Sequence, residues 1–121
     1  MTPADYKTAH EALGLTTAFL AERTGVVVGR IWAYEHHDRT RMVPPPASKV
    51  MRELMACWDA AADRLAREAR PGEFIPRQTT PEAFYAAVPE LDGWPMEAQG
   101  PLLAEVQRRV QLPIEYEVAS R

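Results

Sequence analysis

Six basic side chains lie close together between residues 23 and 52, and these residues have the clearest chemistry in the chain. They are Arg23, Arg30, Arg39, Arg41, Lys49 and Arg52. Only Glu35 and Asp38 oppose them, so this window has a net charge of +4 although the whole chain carries −3. Guanidinium groups bind phosphate and carboxylate oxygens in a bidentate geometry. The window therefore predicts a surface that binds an anion, and the acidic residues 71–121 are expected to face elsewhere.

Other residue types with catalytic or metal-binding chemistry are not clustered in the sequence. His36 and His37 are adjacent, and on a helix their side chains diverge by about 100°, which favours a solvated helix end over a metal site. His10-Glu11 begins like a zinc-protease motif, but Gly14 stands where the second histidine is required. No nucleophile, base and orienting group occur at a recognisable spacing. We therefore expect no enzyme activity, no cofactor and no metal.

Three short helices are predicted around the first part of the basic window. Capping residues and turn glycines give their bounds as about 3–12, 17–24 and 28–36, with Gly14 and Gly25 in the turns. Helices of this length are not stable alone, so we expect them to pack together. The basic and proline-rich residues 38–46 are predicted to be a loop, because no helix interior or central strand tolerates such a run.

A long helix is predicted over residues 47–69. Its apolar residues recur three or four positions apart, and they are Val50, Leu54, Trp58, Ala61 and Leu65. This stripe suits a core and one half of a two-helix dimer interface equally well.

The last fifty residues predict short strands and helices. Residues 73–75 indicate one strand, Pro81 and Leu102 lie in two predicted helices, and residues 112–118 alternate as a second strand does. The strands suggest a small antiparallel pair, within the chain or across a dimer. The predicted fold is mainly α, with an N-terminal helix-turn-helix bundle, a long linking helix and a small C-terminal α+β part that holds a short two-stranded sheet. Residues 1–70 form the predicted first domain and residues 71–121 a dimerisation part.

The expected compartment is the cytoplasm. The N-terminus lacks a basic segment followed by an apolar run, and no apolar stretch approaches the roughly 20 residues that cross a bilayer, so no membrane association is expected. The single cysteine, Cys57, cannot form an internal disulfide, which agrees with a reducing compartment. Its place on the predicted long helix, between Ala56 and Trp58, favours a small core residue.

Residues 14–35 resemble the helix-turn-helix of lambda-repressor and Cro-like regulators, the XRE type. The matching positions are Gly14-Leu15-Thr16, Leu20-Ala21-Glu22, Gly25-Val26, Ile31 and Tyr34-Glu35. The spacing has physical reasons, because small Ala21 lets the two helices cross closely and Gly25 supplies a positive φ in the turn. The resemblance implies that residues 28–36 are the recognition helix and lie in the DNA major groove.

The resemblance also implies which side chains meet DNA. These are Thr17, Val27, Val28, Arg30, Trp32, Ala33, His37, Arg39 and Arg41. Arg30 is expected to bind guanine O6 and N7, whereas the two valines and Ala33 suit thymine methyl groups. Trp32 suits packing against a neighbouring helix as well as contact with DNA.

Phosphate contacts are expected at the edges of this surface. Thr17 would offer its hydroxyl and the N-terminal amides of its helix to a phosphate, and Arg39 and Arg41 suit the flanking backbone. Relatives usually carry polar residues where this chain has Val27, Val28 and Gly29. This departure indicates modest direct readout, dependence on DNA shape, or a face that binds something other than DNA.

The whole chain is similar to a narrower group, the YdiL-like family that includes anti-CRISPR-associated autorepressors. The residues that match in order are Arg30, Trp32, Tyr34, Val43-Pro44 and Gly93-Trp94. This similarity implies a nucleoid-associated homodimeric transcriptional repressor, which binds a near-palindromic operator in double-stranded DNA, often its own promoter. The alternative is a helix-turn-helix scaffold used as a protein-interaction module, such as an antitoxin or a host-factor inhibitor. A protein or RNA partner is left open.

Overall fold

A computed structural model describes residues 1–36 and 41–117 of the chain. Its helices are α1 (Pro3–Ala12), α2 (Thr17–Thr24), α3 (Val28–His36), α4 (Pro45–Glu68), α5 (Pro81–Ala87) and α6 (Gln99–Val110), and its strands are β1 (Ile75–Arg77) and β2 (Ile114–Tyr116). Two 3₁₀ turns, Pro89–Leu91 and Met96–Ala98, lie between α5 and α6. The predicted class, mainly α with a short two-stranded sheet, is confirmed. In the described ranges, no helix combines the length and the apolar character that crossing a membrane requires.

The chain divides into two compact units, Met1–Ala56 and Cys57–Arg121. The division falls within α4, whereas the sequence places a boundary after residue 70. That boundary, and the dimerisation assigned to the part beyond it, stay predictions.

Local capping explains where the first three helices begin and end. Thr2 Oγ1 accepts the Asp5 N–H at 3.0 Å, and the Asp5 carboxylate accepts the Thr2 N–H at 3.0 Å, which closes a capping box before α1. Thr16 Oγ1 accepts the Phe19 N–H at 3.1 Å and caps α2. Gly25 ends α2 with φ 71°, a left-handed conformation that favours glycine. The predicted bounds of all three helices are confirmed.

The core of the first unit fixes the inner side of α3. Helix α3 packs against both α1 and α2. Tyr6 from α1, Leu20 from α2 and Ile31 from α3 have no exposed surface. The rings of Tyr6 and Tyr34 meet edge to face with their centroids 5.9 Å apart. Because Ile31 and Glu35 are both buried and lie four residues apart, they define the side of α3 that faces the bundle.

The predicted loop before α4 is shorter than expected. Residues 41–44 are loop, but Pro45 and Pro46 form the first turn of α4. The first helical turn needs no backbone N–H donor, so prolines are tolerated there and the prediction of a loop up to residue 46 is wrong. The Val43 N–H donates to the Met1 carbonyl at 3.0 Å, and the Ser48 hydroxyl donates to the Val43 carbonyl at 3.2 Å. These bonds join the end of the loop to Met1 and to the first turns of α4.

The apolar stripe of α4 packs against its own chain. Leu54 and Ala61 are buried, and Val50, Trp58 and Leu65 are half-buried. The two interpretations given above, a core stripe and one half of a dimer interface, both stay predictions.

The two strands of the second unit pair in parallel, with Ile75 opposite Ile114 and Arg77 opposite Tyr116. The expectation of an antiparallel pair is therefore wrong. The segment between the strands contains α5 and α6, and a crossover of this length lets two strands run in the same direction. Strand β1 also begins at Ile75, where the sequence predicted a strand to end.

Polar groups connect the elements of the second unit. The Gln78 N–H donates to Gln99 Oε1 at 2.7 Å, and Gln99 Nε2 donates to the Gln78 carbonyl at 2.9 Å, both inside the core. Arg64 Nε donates to Glu90 Oε2 at 2.6 Å, and Arg64 Nη2 donates to the Ala87 carbonyl at 2.9 Å. The Arg64 guanidinium holds the pKa of the Glu90 carboxyl below its usual range. This pair ties the second half of α4 to the end of α5.

Candidate nucleic-acid interface

The surface of interest is the outer side of α3 together with residue 27. Val27 is 73% exposed, Val28 is 51% exposed and Arg30 is exposed. Ile31 and Glu35 lie on the buried side of the same helix. Large apolar side chains that are exposed next to one another often mark an interaction surface. We call Val27, Val28, Arg30, Trp32 and Ala33 the outer face of α3.

Arg30 is the charged residue of this outer face. Its backbone N–H donates to the Val27 carbonyl at 3.0 Å, which belongs to the first turn of α3. Within residues 1–36 and 41–117, its guanidinium makes no ion pair or side-chain hydrogen bond. Its donors therefore face solvent, in reach of an approaching anion or base edge.

Trp32 lies on the outer face rather than in the core. Its ring stacks on the ring of His36, with centroids 4.2 Å apart and an interplanar angle of 8°. His36 Nδ1 lies 2.9 Å from the Trp32 carbonyl oxygen, so the imidazole is held one turn further along the same helix. The indole remains 46% exposed. Packing on its own helix therefore coexists with a large surface for contact.

The remaining predicted contact residues lie in different surroundings. Thr17, the first residue of α2, and Ala33 on α3 are half-buried, and Arg41 is exposed beside α3. His37 and Arg39 lie outside the described residues. Contact with DNA stays a prediction for each residue of the set.

A cleft of about 510 Å³ lies between α3 and residues 41–44. Val27, Arg30, Ala33 and Tyr34 line it from the helix side, and Arg41 and Met42 are among its residues on the loop side. Two of the predicted contact arginines thus share one concave surface. Tyr34 and Met42 were not predicted as part of any site, because their proximity depends on the path of the loop and no sequence spacing encodes it.

A largely enclosed side-chain contact joins α1 to the inner side of α3. His10 Nδ1 lies 3.1 Å from both carboxylate oxygens of Glu35, and both side chains are largely enclosed. Sequence reasoning placed Glu35 in the helix-turn-helix pattern but did not identify its partner. Burial, together with the nearby Glu35 carboxylate, raises the pKa of Tyr6 to about 12.

Metal and cysteine chemistry lie apart from this surface. In the part of the chain that the structure describes, no three His, Cys, Asp or Glu side chains cluster in a way that could hold a metal. Cys57, expected as a small core residue of the long helix, is exposed.

Comparison of the chain with protein-family models, curated proteins and solved structures finds no match.

Proposed function

We propose that this protein is a sequence-specific DNA-binding protein that inserts α3 into the major groove. The observation that carries the proposal is the orientation of α3, which buries Ile31 and Glu35 and leaves Arg30 without an ion-pair partner among the described residues. The resemblance of residues 14–35 to lambda-repressor and Cro-like helix-turn-helix segments supports it. The exposed outer side of a short helix that carries Arg30 fits a groove about 12 Å wide.

Each side chain of the outer face has a role in this proposal. Arg30 donates two hydrogen bonds to O6 and N7 of one guanine. Val27 and Val28 pack on thymine methyl groups, and their exposure leaves them accessible for that contact. Arg41 neutralises a flanking phosphate. Because Arg30 is the one residue of the described outer face with several hydrogen-bond donors, part of the specificity comes from DNA shape.

The proposed biological role is transcriptional repression by a homodimer, carried out in the cytoplasm on the nucleoid. Two copies of α3 about 34 Å apart enter successive major grooves of an inverted repeat, and occupancy of that site blocks polymerase. The similarity to YdiL-like and anti-CRISPR-associated autorepressors favours the protein's own promoter as the target.

Selection from a random pool of DNA duplexes tests this proposal. The purified full chain is incubated with the pool at moderate salt, and bound duplexes are recovered and sequenced over several rounds. We expect enrichment of a near-palindrome whose half-sites are centred about 10 base pairs apart. A bound pool with no enriched sequence would contradict specific DNA recognition.

A second candidate function is a protein-interaction module, and the apolar start of α3 favours it. Val27 and Val28 are exposed apolar side chains at positions where a DNA-binding helix usually carries polar ones. Such an exposed apolar patch suits a protein partner. Salt separates the two functions. DNA affinity that depends on several phosphate contacts falls steeply between 50 and 200 mM salt, roughly 10³-fold for six contacts, whereas an apolar protein interface changes little.

A further inference from the structure

The described side chains of the outer face of α3 are hydrogen-bond donors or hydrocarbon. Val27 and Val28 are exposed and purely apolar, and Ala33 adds one methyl group. The Arg30 guanidinium and the Trp32 indole donate hydrogen bonds and accept none. Reading the amino group of cytosine or adenine takes an acceptor, such as a carboxylate or an amide oxygen. The described outer face therefore has no side chain that reads an amino group.

Two features of a base pair match this face. The paired acceptors O6 and N7 of guanine suit Arg30, and the C5 methyl group of a pyrimidine suits the valines. Gly29 separates Val28 from Arg30, and an added Cβ at Gly29 would meet no atom within 4 Å. The surface between the valines and the arginine is therefore open, so a methyl group can approach it closely.

Val27 and Arg30 are neighbours on this face. The Val27 carbonyl accepts the Arg30 N–H at 3.0 Å and the Ile31 N–H at 3.3 Å, so Val27 lies directly at the start of α3. Val27 and Arg30 also line the same cleft beside the helix. Successive bases of one DNA strand are about 3.4 Å apart along the helix axis. A guanine bound to Arg30 thus brings the adjacent base pair within reach of Val27.

We propose that α3 recognises the C5 methyl group of a pyrimidine next to the guanine bound by Arg30, and that 5-methylcytosine therefore replaces thymine there. This inference rests on the proposed function, because it names the DNA chemistry that the same surface selects. Thymine has an acceptor oxygen at position 4 where 5-methylcytosine has a donor amino group. Valine bonds to neither, so the shared methyl group decides. Methylation of a cytosine at this position therefore strengthens binding.

Synthetic duplexes and the full chain test this inference by fluorescence anisotropy. The starting duplex is the one enriched by selection, and its thymine beside the conserved guanine is replaced by deoxyuridine, which removes only the methyl group. We expect the affinity to fall about fourfold for one half-site and about 15-fold for both, as the loss of one and two buried methyl groups predicts. Deoxyuridine in place of a thymine outside the site should change nothing.

A second pair of duplexes adds the methyl group instead of removing it. The same thymine-adenine pair is exchanged for cytosine-guanine, with and without methylation at C5. The unmethylated duplex should bind as weakly as the deoxyuridine duplex, and methylation should restore the affinity to within about threefold of the thymine duplex. Equal affinity for thymine and deoxyuridine, or for methylated and unmethylated cytosine, overturns the inference.

Two variants assign the methyl contact to the valines. Val27→Ala combined with Val28→Ala should bring both affinity ratios, thymine to deoxyuridine and methylated to unmethylated cytosine, close to one. Met55→Ala removes an exposed apolar side chain of α4 and should leave both ratios at the wild-type values. Each ratio compares two duplexes bound by one variant, so a general loss of affinity does not imitate the result. Ratios that survive the double valine change overturn the assignment to Val27 and Val28.

Failure of this inference and failure of the proposed function are distinguishable. A chain that enriches no duplex fails the proposed function, and the methyl contact falls with it. A chain that binds its selected duplex but ignores the methyl group keeps the proposed function and loses the inference. A selected site without a thymine beside the conserved guanine has the same meaning.

Discussion

His10 Nδ1 lies 3.1 Å from both carboxylate oxygens of Glu35, which bonds α1 to the buried side of α3. The two residues are 25 positions apart in the chain and belong to helices that pack directly. Glu35 is only 8% exposed, so little water reaches its carboxylate, and His10 provides it with a hydrogen-bond partner. The pair therefore fixes the rotation of α3 and, with it, the direction in which Arg30 projects.

Removal of this partner should destabilise the first unit. His10→Ala leaves the Glu35 carboxylate buried without its bond, which costs about 1–3 kcal/mol in the free energy of unfolding. Glu11→Ala, at an exposed position next to it, is the matched control and should change stability by less than about 0.5 kcal/mol. Urea unfolding of His10→Ala, Glu35→Ala and the double variant gives the coupling energy. Additive effects of the two single changes would refute the pairing.

Tyr6 predicts a pH dependence at the alkaline end. Burial raises its pKa from an ordinary value of 10 to about 12, so the neutral phenol is favoured in the folded state. The stabilisation is fully present below pH 10 and is lost as the pH rises through 12, with roughly 1 kcal/mol already lost near pH 11.

Tyr6→Phe isolates this contribution. The Tyr6 hydroxyl is buried with no hydrogen-bond partner in the described part of the chain, so the variant should be at least as stable as the wild type at pH 8. Denaturant unfolding at pH 9 and pH 11 should show a smaller loss for Tyr6→Phe than for the wild type. Equal losses in the two proteins would mean that Tyr6 ionises freely.

Two glycines, one at the end of α2 and one inside α3, predict opposite outcomes for the same substitution. An added Cβ meets no atom within 4 Å at Gly25 or at Gly29, so neither change creates a clash. Gly25 has φ 71°, and alanine there is strained by about 1–2 kcal/mol. Gly29 lies inside α3, and alanine there should stabilise the fold by about 0.5 kcal/mol because the unfolded chain loses freedom. Thermal melts of Gly25→Ala and Gly29→Ala check both signs, and a shift in one common direction would contradict this assignment.

The parts of the fold that the sequence predicts well are those with local causes. Thr2, Thr16 and Gly25 cap α1 and α2 through bonds within four residues, so the helix bounds are readable from residue types. The predicted start of α4 at residue 47 is wrong, because a run of prolines is compatible both with a loop and with the first turn of a helix.

Long-range relationships could not be predicted in the same way. The direction of β2 relative to β1 depends on the crossover through α5 and α6, and strand alternation carries no information on direction. The meeting of His10 with Glu35 depends on how two helices cross. The outward orientation of Arg30 was expected from the resemblance to helix-turn-helix segments, and the burial of Ile31 and Glu35 agrees with it. The cleft between Ala33 and Met42 was not, because it depends on the path of the loop.

The most direct test of the central claim is the affinity of Arg30→Ala for the duplex enriched by selection, measured by fluorescence anisotropy with Arg67→Ala as the control. Both arginines are exposed, so both variants should melt at the wild-type temperature. We predict that Arg30→Ala binds about 5- to 150-fold more weakly, which corresponds to about 1–3 kcal/mol for a bidentate guanine contact, and that Arg67→Ala binds as the wild type does. Unchanged affinity in a folded Arg30→Ala variant would contradict the assignment of α3 as the recognition helix.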